Sequence, residues 1–273
     1  MRVGGYAWAM TATYLDGIMA FHRERTSRDP RVWQNRVPEI SERPSLRERL
    51  VAHRPCGMNV IAEIKRRSPS KGWLAENLDA GSTAALYEAG GATGISVLTD
   101  AEHFGGSLDD LRTAGAHTTL PLLRKDFTVG ENDVLDALEA GASAVLLIAA
   151  ALTHEELDRL LRFSSAVGLD ALVEVHSAEE IARALDVGAQ LLGINQRDLH
   201  TFAVDTAHAE ELVELIPPEV VAVAESGFSE IGAVRRAGEV GFDAVLVGEC
   251  FVRASDPRAA VRSFVGAPIG SRT

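Results

Sequence analysis

One unit recurs along this chain. A helix-compatible stretch ends at a glycine flanked by small or apolar residues, and a short apolar run follows at once. It reads Ala89-Gly90-Gly91-Ala92 then Ile95–Leu98, and Ala140-Gly141-Ala142 then Ala144–Ile148. It returns as Val187-Gly188-Ala189 then Leu191–Ile194, and as Val240-Gly241-Phe242 then Ala244–Val247. The glycine has a physical reason: a helix stops most cheaply at a residue in the left-handed region, where a Cβ is penalised. Four further apolar runs fill the gaps, at Val60–Ile64, Leu120–Arg124, Ala171–Val175 and Val220–Ala224. Each is short and continuous, the pattern of a strand buried on both faces. Amphipathic segments lie between them, with Leu157, Leu160, Leu161 and Ser164 on one face and Ile181, Ala184 and Leu185 on another. Thr153-x-x-Glu156 and Ser177-x-x-Glu180 have capping-box spacing, and Ser229 and Asp256-Pro257 are further helix starts. Eight such units at roughly 25-residue spacing occupy about 210 residues, the size of a single (β/α)8 TIM barrel.

What precedes Val60 is then an N-terminal helical extension, with helices expected at Tyr14–Arg25 and Ser45–His53. The expected division is residues 1–59 as extension, 60–265 as barrel and 266–273 as tail, all one domain, since no linker interrupts the pattern. A chain of 273 residues buries about three quarters of its unfolded surface and supports its own core. Cys56 and Cys250 are far apart with no metal-ligand spacing, so neither a disulfide framework nor a zinc site is expected, and a reducing cytoplasm is. Met1 to Ala12 lacks the apolar core of a leader, and Met10 is a candidate start. The longest apolar run, Val145 to Leu152, is too short to span a bilayer. With 27 basic against 39 acidic residues, the net charge of −12 repels phosphodiester backbones and argues against nucleic acid.

Position along the strands points to a site. Charged or amide residues stand at or just after the carboxyl ends of most apolar runs: Glu63 and Lys65, Lys125, Glu174, Asn195 and Arg197, and Glu225. Side chains two apart share a side of a strand. Glu63 with Lys65, Lys125 with Phe127, and Asn195 with Arg197 therefore point inward together, while Ala62 and Ile64 face the helices. In an open doubly wound sheet five strand ends would not meet, whereas in a closed barrel they surround one mouth. Ser226-Gly227 after the seventh strand and Gly248-Glu249 after the eighth fit a phosphate site, because these two loops of a barrel often grip phosphate with backbone N–H groups. No G-x-x-x-x-G-K-[ST] or G-x-G-x-x-G run is present, which disfavours nucleoside triphosphates and dinucleotides.

Several segments resemble, in order, the indole-3-glycerol phosphate synthase family of tryptophan biosynthesis. They are Val60–Gly72 (VIAEIKRRSPSKG), Leu123–Phe127 (LRKDF), Leu172–His176 (LVEVH), Gly193–Leu199 (GINQRDL), Ala224–Gly227 (AESG) and Val247–Glu249 (VGE), within about Val60 to Val265. The resemblance implies a phosphate-binding (β/α)8 barrel with an N-terminal helical extension. It implies closure of 1-(2-carboxyphenylamino)-1-deoxyribulose 5-phosphate to indole-3-glycerol phosphate with loss of carbon dioxide and water. No metal or organic cofactor is implied. Lys125 resembles the general acid on the carbonyl oxygen, Glu174 the carboxylate of the later proton transfer and dehydration, and Lys65 a lysine that steadies substrate and serves as an acid. Glu63 and Asn195 match positioning residues, and Glu225 with Ser226 the pair after the seventh strand. Ser68 and Arg197 would hold the anthranilate carboxylate, Phe104 and Phe127 would wall the ring, and Gly227, Gly248 and Glu249 would take the phosphate. A monomer is expected, with other enzymes of the pathway as candidate partners and no membrane.

The chemistry agrees with this. Ring closure builds negative charge on a carbonyl oxygen, and an ammonium aimed there stabilises it while giving a proton. Desolvation or a second cation such as Lys65 would lower the Lys125 pKa from about 10.4, and a lone nearby glutamate would raise it. Glu63 reads equally as a salt-bridge partner of Lys65. His176 reads as a neighbour of the site, Cys250 as a small core residue, and the other histidines, such as His53 and His154, as surface residues. The chain departs from the family after LRKDF, where Gly130-Glu131-Asn132-Asp133 replaces an aromatic and a glutamine and predicts lost packing near the third loop. Cys250-Phe251 replaces a commoner small-then-leucine pair, Trp73 adds bulk beside the first loop, and His22-Arg23-Glu24-Arg25 in the extension matches only loosely. Two other readings compete. A phosphoribosylanthranilate isomerase would need a cysteine and an aspartate at strand ends where neither stands. A non-catalytic barrel binding a phosphorylated anthranilate would not need an acid and a carboxylate facing each other.

Overall fold

The computed structural model describes residues 14–36, 43–69, 71–197, 205–270 and 272. Eight parallel strands close into a barrel: β1 (Asn59–Ile64), β2 (Gly94–Leu98), β3 (Leu122–Lys125), β4 (Ala144–Ile148), β5 (Asp170–Val175), β6 (Leu191–Asn195), β7 (Val221–Glu225) and β8 (Ala244–Val247). Each pairs with its neighbours in sequence, and Asn59 of β1 lies opposite Ala244 of β8 to complete the ring. Every expected apolar run is a strand. The largest shift is at Leu120–Arg124, because Pro121 has no N–H to give the ladder and β3 begins after it. The recurrent glycines Gly91, Gly141, Gly188 and Gly241 all hold φ between +86° and +103° at helix ends.

The helix starts follow the sequence in part. Thr153 Oγ1 accepts from the Glu156 N–H while the Glu156 carboxylate accepts from the Thr153 N–H, a full capping box. Ser177 accepts from the Glu180 N–H, but the Glu180 carboxylate takes the His176 N–H instead, so that box is half formed. Asp256 caps Pro257–Arg262 through the Ala259 N–H. Ser229 is not a cap: Glu230 precedes the helix Ile231–Glu239 and makes no side-chain cap bond.

Strand parity divides the core into two shells. Val60, Ala62 and Ile64 of β1, Val173 and Val175 of β5 and Ala222 and Ala224 of β7 face the surrounding helices. Ile61, Leu123, Leu146, Leu172, Leu191, Val223 and Leu246 fill the barrel interior. The extension supplies both ends of that interior. Helix α1 (Tyr14–Ser27) lies at the carboxyl-terminal mouth, where Leu15 and Ile18 face a cavity. Helix α2 (Leu46–His53) closes the opposite end, with Leu46 and Leu50 wholly buried among the interior side chains. It is fixed there by Ser45, whose hydroxyl donates to Asp170 at the start of β5 at 2.9 Å, and by Asn59 Nδ2, which donates to the Leu50 carbonyl at 3.1 Å. Among the described residues no helix is long and apolar enough to cross a membrane.

Candidate active site

The inward positions turn polar as the strands reach the mouth: Ile61 gives way to Glu63, Leu123 to Lys125, Leu172 to Glu174, Gly193 to Asn195 and Val223 to Glu225. Lys125 Nζ sits 3.4 Å from Glu174 Oε2 and 3.4 Å from Glu225 Oε2. Asn195 Nδ2 donates to Glu174 Oε1 at 3.2 Å, and its Oδ1 accepts from the Ser226 hydroxyl at 2.9 Å and the Arg197 N–H at 3.1 Å. The ends of β5, β6 and β7 are thereby tied into one network. Lys65 Nζ lies 3.3 Å from Glu63 Oε1 and 5.8 Å from the centre of the Phe104 ring, which faces Phe127 across 6.3 Å. The salt-bridge reading of Glu63 therefore holds, on a carboxylate that also faces the cavity.

Two adjoining cavities gather every expected site residue. One of about 150 Å³ is lined by Glu63, Lys65, Ser68, Phe104, Lys125, Phe127, Glu174, Asn195, Arg197, Ser226 and Glu249. The other, about 480 Å³, is lined by Glu225, Gly227 and Gly248 and shares Glu63, Lys65, Lys125, Arg197, Ser226 and Glu249 with the first. The cavities add residues the sequence reading missed. Leu15 and Ile18 come from α1, and Leu146 and Ile148 are inward-facing on β4. Lys71 and Arg253 stand at the glycine-loop end. Strand parity could have marked Leu146 and Ile148; nothing local marks Leu15 and Ile18, because their place depends on how the extension docks.

The electrostatics differ from expectation at Lys125. Burial works against its charge, but Glu174, Glu225 and Glu63 outweigh that cost and raise its pKa above the ordinary lysine value. Lys65, expected to lower it, is paired with Glu63 instead. The two carboxylates flanking the ammonium are driven apart. Burial alone would lift Glu174, but Lys125, His176 and Asn195 hold it below its ordinary value. Glu225 is pushed up to about 7, first by burial and then by Glu174 and Glu63, against the pull of Lys125. Among the described residues its Oε1 has no hydrogen-bond partner, and it occupies space that a Cβ on Gly193 would take. The same surroundings thus push the two flanking acids in opposite directions, the kind of separation that acid–base sites use. Gly248 is constrained too, though less tightly, since a Cβ there would lie 2.5 Å from Glu63 Oε1. Ser226 is the one non-glycine among the described residues with positive φ, at +70°, a strain of about 1–2 kcal/mol stored beside the cavity.

Around this centre one expectation holds and three are refined. His176 is a neighbour of the site as expected, with Nε2 3.5 Å from Glu174 Oε1 and Nδ1 3.4 Å from Glu180 Oε2. The histidines do not all lie at the surface: His53 and His154 are exposed, but His22 is fully buried, bonded to Asp100 Oδ2 at 2.8 Å and packed 5.0 Å from Phe127. The unusual loop after β3 does not lose its packing. Asp133 Oδ2 accepts from the N–H groups of Val129 and Gly130, its other oxygen pairs with Arg25 of α1, and its carbonyl accepts from Arg124. Cys250 is a half-buried edge of the outer core, its thiol pushed up by burial and by Glu249.

A closed (β/α)8 barrel with a buried ammonium between two carboxylates at its carboxyl-terminal rim defines a barrel enzyme working by acid–base chemistry on strand ends. The family profile of indole-3-glycerol phosphate synthase matches residues 21–264. The chain belongs to that family. It is 52% identical over 211 residues to the indole-3-glycerol phosphate synthase of Kineococcus radiotolerans, covering 77% of each chain. It is 43% identical to that of Streptomyces griseus subsp. griseus over 257 residues, covering 93% of each. A thiamine phosphate pyrophosphorylase from Pyrococcus furiosus shares the fold at a TM-score of 0.58 and 18% identity, covering 77% of this chain and 95% of that one. The activity is that of a carbon–carbon lyase of tryptophan biosynthesis, forming indole-3-glycerol phosphate with loss of carbon dioxide and water. The isomerase and non-catalytic readings fall away with this assignment.

Proposed function

We propose that this activity runs on Lys125 as general acid with Glu174 as its partner base. As the carboxylate-bearing ring carbon of the substrate bonds to the ketone carbon, the carbonyl opens and Lys125 gives its proton to the oxygen. Carbon dioxide then leaves and its bonding electrons restore the ring. In the last step Lys65 protonates the departing hydroxyl and Glu174 takes the proton from the neighbouring carbon, releasing water and forming the double bond that completes the indole. Overall one proton is drawn from solvent, matching the charge lost with the carboxylate. The placement of Lys125 Nζ at 3.4 Å from both Glu174 and Glu225 carries this reading, because one donor and one ionised acceptor share a buried pocket. Ser68 and Arg197 take the substrate carboxylate, and Phe104 and Phe127 its ring. The phosphate goes to the loops of Gly227 and Gly248, with Lys71 and Arg253 nearby. The Glu249 carboxylate is held by Lys71 at 2.8 Å and Arg253 at 3.5 Å, so its offer to an anion is its backbone N–H.

On this reading the enzyme is a monomer acting in the cytoplasm, with other tryptophan-pathway enzymes as its partners. Residues 1–59, 60–265 and 266–273 are read as one unit, since α2 packs into the barrel and the Met58 N–H donates to Ala267. The test is Lys125→Ala, assayed by indole fluorescence with the anthranilate deoxyribulose phosphate. Turnover should fall by at least about 10² with the circular dichroism spectrum unchanged. Near-wild-type turnover would remove Lys125 from this role.

A further inference from the structure

One cluster outside the catalytic pocket has the composition of a metal site. His22, Asp100 and His103 place ligand-capable atoms all within 4.8 Å of one another. They come from two separate parts of the chain: His22 from the middle of α1, and Asp100 and His103 from the loop and one-turn helix Ala101–Phe104 after β2. The division of labour at Asp100 is specific. Its Oδ1 accepts from the backbone N–H groups of His103 and Phe104, at 2.6 and 3.1 Å, which fixes the plane of the carboxylate. Its Oδ2 faces both imidazoles, His22 Nε2 at 2.8 Å and His103 Nδ1 at 3.1 Å. Two nitrogens and one anionic oxygen converge, and the carboxylate's supporting bonds are already made, as ligating carboxylates usually require, while the buried His22 Nδ1 has no hydrogen-bond partner among the described residues.

The dimensions suit a small transition ion. Zinc takes histidine nitrogen and carboxylate oxygen at about 2.0–2.2 Å, which puts tetrahedral ligand atoms roughly 3.4 Å apart. The nitrogen–oxygen separations of 2.8 and 3.1 Å would open by about 0.3–0.6 Å, and all three ligand atoms lie within 4.8 Å of one another. His22 is buried and His103 is 18% exposed in its side chain, so a fourth, water ligand would enter from the His103 side. A cavity of about 430 Å³ reaches Asp100 beside Phe21 and Glu102 and gives an approach. Imidazole and carboxylate with no thiolate favour zinc or its borderline neighbours over magnesium.

We propose that His22, Asp100 and His103 form a three-ligand site for a divalent transition ion that clips α1 to the loop after β2. Both sides of the clip wall the catalytic cavity, through Leu15 and Ile18 on α1 and Phe104 on the loop. The ion would set how firmly that wall is held, and the acid–base chemistry itself does not pass through it. The test uses full-length protein stripped with a chelator and titrated with Co²⁺ as a spectroscopic probe. One equivalent should bind with the strong visible absorption of a low-coordinate site, and Zn²⁺ should displace it and raise the thermal midpoint, while Mg²⁺ does neither. His22→Gln and the partly exposed His103→Phe should each abolish the absorption and the Zn²⁺-dependent midpoint shift. Absence of a stoichiometric Co²⁺ spectrum, or its retention in either variant, would overturn the site and leave a hydrogen-bonded His–Asp–His group.

Discussion

Glu225→Gln separates the electrostatics of the site from its packing. In the folded chain the Glu225 carboxyl is pushed up to about 7 from an ordinary 4.5. The fold therefore binds that proton more tightly than the unfolded chain does. Below about pH 4.5 both states hold the proton and the residue costs nothing by ionisation. As pH rises towards 7 the unfolded chain ionises freely while the fold resists, so stability falls and reaches its full penalty above pH 7. At about 1.36 kcal/mol for each tenfold change in proton affinity, the gap between 4.5 and about 7 amounts to about 3 kcal/mol. Glutamine keeps the shape and cannot ionise. The variant should gain stability relative to wild type between pH 5 and pH 8, by up to about 3 kcal/mol, less whatever Lys125 loses with its second carboxylate. Urea unfolding of both proteins at the two pH values measures it. An unchanged difference, or a loss on going to pH 8, would show that Glu225 is ionised in the fold and that the two flanking acids are not driven apart.

Other outcomes follow from the same geometry. Inorganic phosphate or sulfate should inhibit competitively against substrate by occupying the loops of Gly227 and Gly248; noncompetitive kinetics would count against that placement. Gly248→Ala should lower kcat/KM by roughly 10²-fold, because its Cβ at 2.5 Å displaces the Glu63 carboxylate and with it Lys65. Unchanged kinetics would mean that Glu63 has no positioning part. Asp133→Ala should destabilise by about 1–3 kcal/mol, since it strips the Val129 and Gly130 N–H groups and Arg25 of their acceptor. An unmoved urea midpoint would show that the loop after β3 is held by other contacts.

The barrel was legible in the sequence because its units are local. A glycine that ends a helix and an apolar run that starts a strand are decided within a few residues, and eight repeats leave little choice of architecture. The ring of site residues was legible for a related reason: strand side chains alternate, so Glu63, Lys125, Glu174, Asn195 and Glu225 had to face one mouth once the barrel closed. Where local rules competed the reading slipped, as at Ser177, whose box partner Glu180 bonds His176 instead.

Charge states and docking belong to the tertiary structure alone. Whether Lys125 has a raised or lowered pKa depends on how many carboxylates surround it and how deeply all are buried, and no spacing along the chain encodes that. The extension shows the same limit. Its helices were readable, but that α1 would bury His22 against Asp100 and turn Leu15 and Ile18 to the cavity at the mouth, while α2 plugs the other end, is set by contacts between residues far apart in sequence. Periodicity fixes what a segment is; only closure of the whole chain fixes what each side chain meets.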